Sequence, residues 1–203
     1  MQSGLIRIGA FSGVTTHWLP NIIRAFQKDY PGIDYELLMS DDTQIEMWIA
    51  HGRVDCGFLS LPAPKEFETI DLEEHRLLAI LPKGHPPAEF ERVRLAALCG
   101  EAFLLLEKGE RTEVSLLFVR HGLTPRVHFT TWDDYAIVSM VESGLVNSIL
   151  PELILRRIPY DIVICELDVP AKRAFALTMR DRENASIAVQ RFLEYLPCRN
   201  GAQ

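Results

Sequence analysis

The chain has 203 residues, 48% of them hydrophobic, with 21 basic against 28 acidic residues and a net charge of −7. That supplies core for one large domain or two small lobes, and the acidic balance without a Lys/Arg cluster tells against direct contact with DNA. No run of about 18 apolar residues exists to span a membrane, and Met1-Gln2-Ser3-Gly4 has neither the charged nor the apolar region of a signal peptide. The four cysteines, Cys56, Cys99, Cys165 and Cys198, form no CxxC pair and sit at no zinc spacing. Cys56 and Cys165 lie in apolar runs and read as buried, inert thiols. The six histidines are scattered, so neither a metal nor a cofactor is expected.

Leu5, Ile6 and Ile8 predict a short buried strand ended by Gly9, followed by a turn at Ser12-Gly13. Leu19, Ile22, Ile23, Phe26 and Tyr30 then recur at helical spacing. Ser12, Thr15 and Thr16 are the candidate N-caps of that helix, and Pro31-Gly32 stops it. A strand running into a helix places unpaired N–H groups at one end of a sheet, where open α/β folds bind ligands and where an anion is favoured. Asp34 to Met39 is a second strand. Ser40-Asp41-Asp42 caps a short helix carrying Ile45, Trp48 and Ile49. Val54 to Leu61 is a third strand, and the segment from Glu68 ends in the apolar LLAIL. This β-α-β-α-β order implies a parallel sheet with helices on its faces.

Pro82-Lys83-Gly84-His85-Pro86-Pro87 is turn-rich and marks a lobe boundary. A short helix near Leu95 to Leu98, a strand Phe103 to Leu106 and a polar loop from Glu107 to Thr112 follow. The next helix runs from Glu113 to His121, started by Arg111 or Thr112. Arg126 to Thr131 alternates as a half-buried strand. Trp132 reads as core. Asp133-Asp134 caps a helix with Ile137, Met140 and Val141, Val146 to Leu150 is a strand, and Pro151 opens a short helix. Ile162 to Leu167 and Arg173 to Met179 are strands, and Ser186 to Leu196 is the final helix. A second α/β block thus follows the first, with crossings near Pro82 and Pro170. Lobe one is 1–81 with 169–203, and lobe two is 82–168. Two crossings of this kind permit closure around a ligand.

The segments IRIGAFSGVTTHWLPNIIRAFQKDYPGI, GRVDCGFL, LLAILPKGHPPA, FLLLEKGERT and MVESGLVNSILPELIL occur in this order and spacing. With them, the chain from about Leu5 to Leu196 resembles the effector-binding region of LysR-type transcriptional regulators. The resemblance implies an α/β, two-lobed fold like that of type 2 periplasmic solute-binding proteins. Each lobe would be a mostly parallel sheet flanked by helices, with a small-molecule effector in the cleft between the lobes. It also implies an N-terminal winged helix-turn-helix, which this chain is expected to lack, and a cytoplasmic bacterial protein. The segment usually reading GLGIALLP is here GLVNSILP, with Val146-Asn147 as the departure, and the serine-rich first turn is here Ser12-Gly13.

By that resemblance, Ser12, Gly13 and Thr16 meet the effector from lobe one, and Ser60 adds a contact from the same sheet end. Glu107, Lys108 and Gly109 face it from lobe two, with Thr131 and Val146. Lys108 suits an anionic group, which Glu107 and Glu110 oppose. The helix Glu113 to His121 shows a second apolar strip, Leu116 and Val119, opposite Val114, Leu117 and Phe118. The family packs that helix and the following strand against Thr16 to Tyr30 and Asp34 to Leu38 of a partner, giving an isologous homodimer. No catalytic set is evident: GxSxG, the P-loop and GxGxxG are absent. The expected role is that of an effector sensor and dimerising domain, not an enzyme. A transport solute-binding protein of the same fold is the alternative, and an enzyme on that fold a more distant one.

Overall fold

The computed structural model describes residues 3–85, 92–106 and 112–201. The chain divides into two compact units, Met1–Glu73 with Ala174–Gln203, and Glu74–Arg173. It passes from one to the other inside strand β4 (Glu68–Pro82) and returns inside strand β10 (Lys172–Met179). The turn-rich residues after Leu81 and the break at Pro170 were the expected crossings. The divisions fall instead within extended strands, because a continuous strand can serve two cores without any turn.

Unit 1 begins with β1 (Gly4–Ala10), which pairs in parallel with β2 (Ile33–Met39) and with β3 (Cys56–Ser60). β10 closes the row antiparallel to β3, through Phe175↔Ser60 to Thr178↔Gly57. Two helices link β1 to β2 where the periodicity indicated one. Helix α1 (Ser12–His17) is a separate short piece, and α2 (Leu19–Asp29) follows after Trp18, which caps both. The cap of α1 is Phe11, with no side-chain capping bond, so none of Ser12, Thr15 and Thr16 is the N-cap. Leu5 is 50% exposed, contrary to the buried strand position expected of it.

An aromatic core holds these pieces together. Trp18, Phe26, Phe58, Phe175 and Phe192 are all fully buried, each contributing roughly 1.5–3 kcal/mol by apolar burial. The Trp18 ring lies edge-on to Phe175 at 5.9 Å. Helix α3 (Asp42–Ala50), capped by the Asp41 carboxylate accepting from the Gln44 N–H, packs so close to β3 that Gly57 is required. A Cβ there would lie 2.5 Å from Ile45 Cγ2 and 2.9 Å from Ile49 Cδ1. Helix α7 (Ile187–Leu193) is shorter than expected and is followed by a 3₁₀ turn, Leu196–Asn200.

Unit 2 is a layered sheet with helices on both faces. β4 pairs antiparallel with β8 (Ser148–Pro151) and with β9 (Ile162–Leu167). The short β5 (Arg92–Val93) joins β9 in parallel. β6 (Ala102–Leu106) pairs in parallel with β7 (Arg126–Thr131), and a bridge at Phe103↔Asn147 ties β6 to the entry of β8. The run LLAIL has no alternation because both faces of β4 are covered. Leu77, Ala79 and Leu81 enter one cluster with Val114, Leu117 and Phe118 of α4 (Glu113–Arg120). Leu78 and Ile80 enter another with Ile137, Val138 and Val141 of α5 (Asp134–Glu142) and Ile154 of α6 (Glu152–Leu155). Thr112 caps α4, its hydroxyl oxygen accepting from the Ser115 N–H.

β7 departs from expectation. Its alternation predicted a half-buried strand, yet Val127 and Phe129 are 41% and 44% exposed. It ends the β6–β7 pairing, and Val127 and Phe129 stay exposed among the described residues. Trp132, expected in the core, is 63% exposed. No helix among the described residues is long and apolar enough to cross a membrane.

Candidate functional site

In unit 1 the register gathers residues at one sheet end. β1 and β3 are parallel at Ile8↔Cys56, so Ser12-Gly13, just past β1, and Ser60, at the end of β3, lie at the same edge. The start of α3 joins them. The Ser40 N–H donates to the Ala10 carbonyl at 3.3 Å, and the Ser60 N–H donates to Asp42 Oδ1 at 3.3 Å. Gly13 is buried, Ser12 half-buried and Thr16 exposed on the last turn of α1. Thr15 is spent locally, its hydroxyl donating to the Ser12 carbonyl at 2.9 Å. Asp42 was read from the sequence only as a cap; the structure makes it a part of this edge, and only the β3 register could have shown that.

The electrostatics of this edge are acidic. Asp41 and Asp42 stand at the start of α3. One turn along, the Glu46 carboxyl is raised above its usual range, first by burial and then by Asp42, Glu66 and Asp41. A multiply charged anion would meet that repulsion, while one carboxylate or a hydroxyl can be met by nearby N–H and O–H donors.

In unit 2 the two expected residues that the structure describes, Thr131 and Val146, do not come together. Thr131 ends β7 opposite Leu106, the last residue of β6. Its hydroxyl oxygen accepts from the Asp133 N–H at 3.2 Å, and the Asp133 carboxylate caps α5 through Tyr135 N at 2.9 Å and Ala136 N at 3.3 Å. Val146 precedes Asn147, which bridges Phe103 near the start of β6. Val146 is thus level with Ala102 and Thr131 with Leu106, so the two lie toward opposite ends of parallel strands, roughly 13 Å apart along the strands at about 3.3 Å per residue. Val146 is also 3% exposed, packed with Leu104, Ile137 and Val141. It is a core residue. Asn147, 2% exposed, donates its Nδ2 to Glu101 at 3.5 Å, a carboxylate that His85 Nε2 also contacts. Glu107, Lys108 and Gly109 lie outside the described residues.

Among the described residues no group of His, Cys, Asp and Glu could hold a metal ion. None of the four cysteines is in a disulfide. Burial pushes the Cys56 thiol up to about 12 and raises those of Cys99 and Cys165, which disfavours the reactive thiolate. Leu116 is half-buried on α4 and Val119 is 70% exposed. In unit 1, β2 is the last strand of its row and leaves Leu37 and Met39 45% and 51% exposed.

Comparison with known proteins now fixes the class. The LysR substrate binding domain family matches residues 1–199, and the chain belongs to that family. The HTH-type transcriptional regulator YvbU of Bacillus subtilis is 27% identical over 96% of this chain and 67% of its own length. The regulator LrrA of Synechococcus elongatus is 31% identical over 85% of this chain and 59% of its own. The chain therefore spans about two thirds or less of the relatives it matches. Among solved structures, the regulatory domain of CcmR from Synechocystis, in complex with 2-PG, superposes with a TM-score of 0.87, at 26% identity and 96% coverage of both chains. The chain is thus an effector-binding domain of the LysR type with the type 2 periplasmic-binding-protein-like fold. Its relatives are regulators, which does not favour the transport alternative.

Proposed function

We propose that this chain senses a small polar effector bearing at most one carboxylate or similar anion, and that it does so for a dimeric regulator acting on DNA through an N-terminal winged helix-turn-helix. The reading is carried by the convergence of Ser12, Gly13 and Ser60 at one sheet end in a chain matched almost throughout by the family model. CcmR supports it through a small molecule, 2-PG, bound by a domain of the same shape. Ser12, Gly13, Thr16 and Ser60 are the contacts from unit 1. Thr131 is the contact from unit 2, with Glu107, Lys108 and Gly109 following β6 directly. Asp41 and Asp42 limit the effector's charge. Binding favours one arrangement of the protein over another, and the population shift is read by the DNA-binding part. The protein works in the cytoplasm and catalyses nothing.

A thermal-shift screen of small hydroxy- and keto-acids, run beside small amines and neutral apolar compounds, tests this. Hits should lose their stabilisation on Gly13→Asp, which puts a carboxylate into a buried position at the effector edge. A hit set made only of cations or apolar molecules would contradict the proposal.

The dimer is proposed as isologous, pairing α4 and β7 of one protomer with α2 and β2 of its partner. Support comes from apolar exposure on both surfaces, Val119, Val127 and Phe129 on one and Leu37 and Met39 on the other. Leu116→Asp with Val119→Asp should leave the fold intact and give a monomer by light scattering. A dimeric double variant, or a monomeric parent chain at tens of micromolar, would refute this pairing.

A further inference from the structure

A cavity of about 420 Å³ opens at the opposite edge of the unit 1 sheet, lined by Arg7, Gly52, Asp55, Arg180 and Asn184 among others. Its position follows from strand direction. Asp55 precedes β3, and Arg180 follows the end of β10, which runs antiparallel to β3. None of the effector contacts named above lines it. Its volume falls in the range of small-molecule sites, about 300–1,000 Å³.

The charges in its wall are unequally satisfied. Asp55 is committed to Arg7, accepting from the backbone N–H and from Nη2, both at 2.8 Å. Asp181 is committed to Asn184, accepting its backbone N–H at 3.0 Å and its Nδ2 at 2.6 Å. Arg180 makes no hydrogen bond or ion pair among the described residues, although carboxylates stand close by. Its guanidinium instead lies on Gly52, where a Cβ would be 3.1 Å from Nη2 and φ is +69°. The glycine is thus needed twice, for a left-handed backbone and for the space that the guanidinium fills. Asn184 keeps a second amide hydrogen and Ser186 a hydroxyl hydrogen, since its oxygen accepts from the Val189 N–H.

We propose that this cavity is a second ligand site, taking a small oxyanion, carboxylate or phosphate, on the fork of Arg180 with Asn184 and Ser186 as further donors. A planar guanidinium matches such an oxyanion through two parallel bonds. Arg7–Asp55 forms a neutral wall, and Asp181 keeps the affinity modest. The site is independent of the effector edge and of the reading given to it.

An amide-resolved NMR titration of the 203-residue chain tests the proposal, with sodium phosphate in one arm and sodium succinate in the other. Sodium chloride holds the ionic strength constant. Saturable shifts are expected at Gly52 to Asp55 and Arg180 to Ser186. Arg180→Gln, at an exposed position, should weaken binding roughly tenfold or more. Gly52→Ala should do the same by displacing the guanidinium. Arg182→Gln and Gly13→Asp should leave binding unchanged. Saturation by one probe alone assigns the site to that class of oxyanion. No saturable shift with either probe, undiminished binding by Arg180→Gln, or shifts confined to the α1 edge would overturn it.

Discussion

The two units treat the same kind of strand end differently. In unit 1, β1 and β3 run side by side in parallel, so the residues that follow them arrive at one edge. In unit 2, Thr131 closes a parallel strand, while Val146 precedes one and is packed inside the core. Both units are read from the same kind of sequence signal, a short apolar run ending in polar residues. Strand direction and register decide whether such signals converge, and neither is written in the run itself.

The largest expected effect that separates the units is at Gly13. Gly13→Asp should abolish effector-linked stabilisation, whereas Val146→Ala should leave the effector affinity of the folded protein unchanged. Next comes the packing each unit depends on. Gly57→Ala forces α3 away from β3 and should cost about 1–3 kcal/mol by urea unfolding. Val146→Ala should cost about 2 kcal/mol, from lost burial and the cavity left behind. If Val146→Ala changed affinity and not stability, the assignment of Val146 to the core would fall. Thr131→Val, which removes a hydroxyl at the other end of the sheet, should weaken effector binding several-fold with little change in stability.

The smallest effect concerns unit 2 alone. Arg76 holds Glu152 through Nε and Nη2, at 3.2 and 3.0 Å, and so keeps that carboxyl below its usual range. Because the folded value is depressed, the stability it brings is present above the ordinary carboxylate value of 4.5 and is lost as pH falls through the lower folded value. The pair is half-exposed, so the contribution is about 0–1 kcal/mol. Arg76→Gln should remove that fraction of the acid sensitivity in unfolding measured from pH 7 down to roughly pH 3. An unchanged pH profile would leave the ion pair without a part in stability.

Much of the fold was legible in the chain. The strands announce themselves as short apolar runs, and Asp41, Thr112, Asp133 and Ser186 cap helices where polar residues precede helical periodicity. Three features were not legible, for physical reasons. Helix α1 has no apolar period of its own; it is held by Trp18 and by the Phe11 carbonyl, which accepts from Val14 and Thr15. The exposure of β7 and Trp132 depends on what packs outside them, which alternation cannot report. The unit boundaries lie inside β4 and β10, which look like ordinary strands throughout. Of the candidate site, the Ser12-Gly13 edge was visible as a strand-to-helix corner. Asp42 and the misplaced Val146 became visible only through register.

Hydrogen exchange, with and without the most stabilising compound from the screen, measures the central claim directly. The effector-edge reading predicts slowed exchange at Phe11 to His17 and around Ser60 in unit 1, with Val146 and Asn147 unaffected. Protection confined to other segments, with the α1 edge exchanging as it does in the free chain, would contradict it.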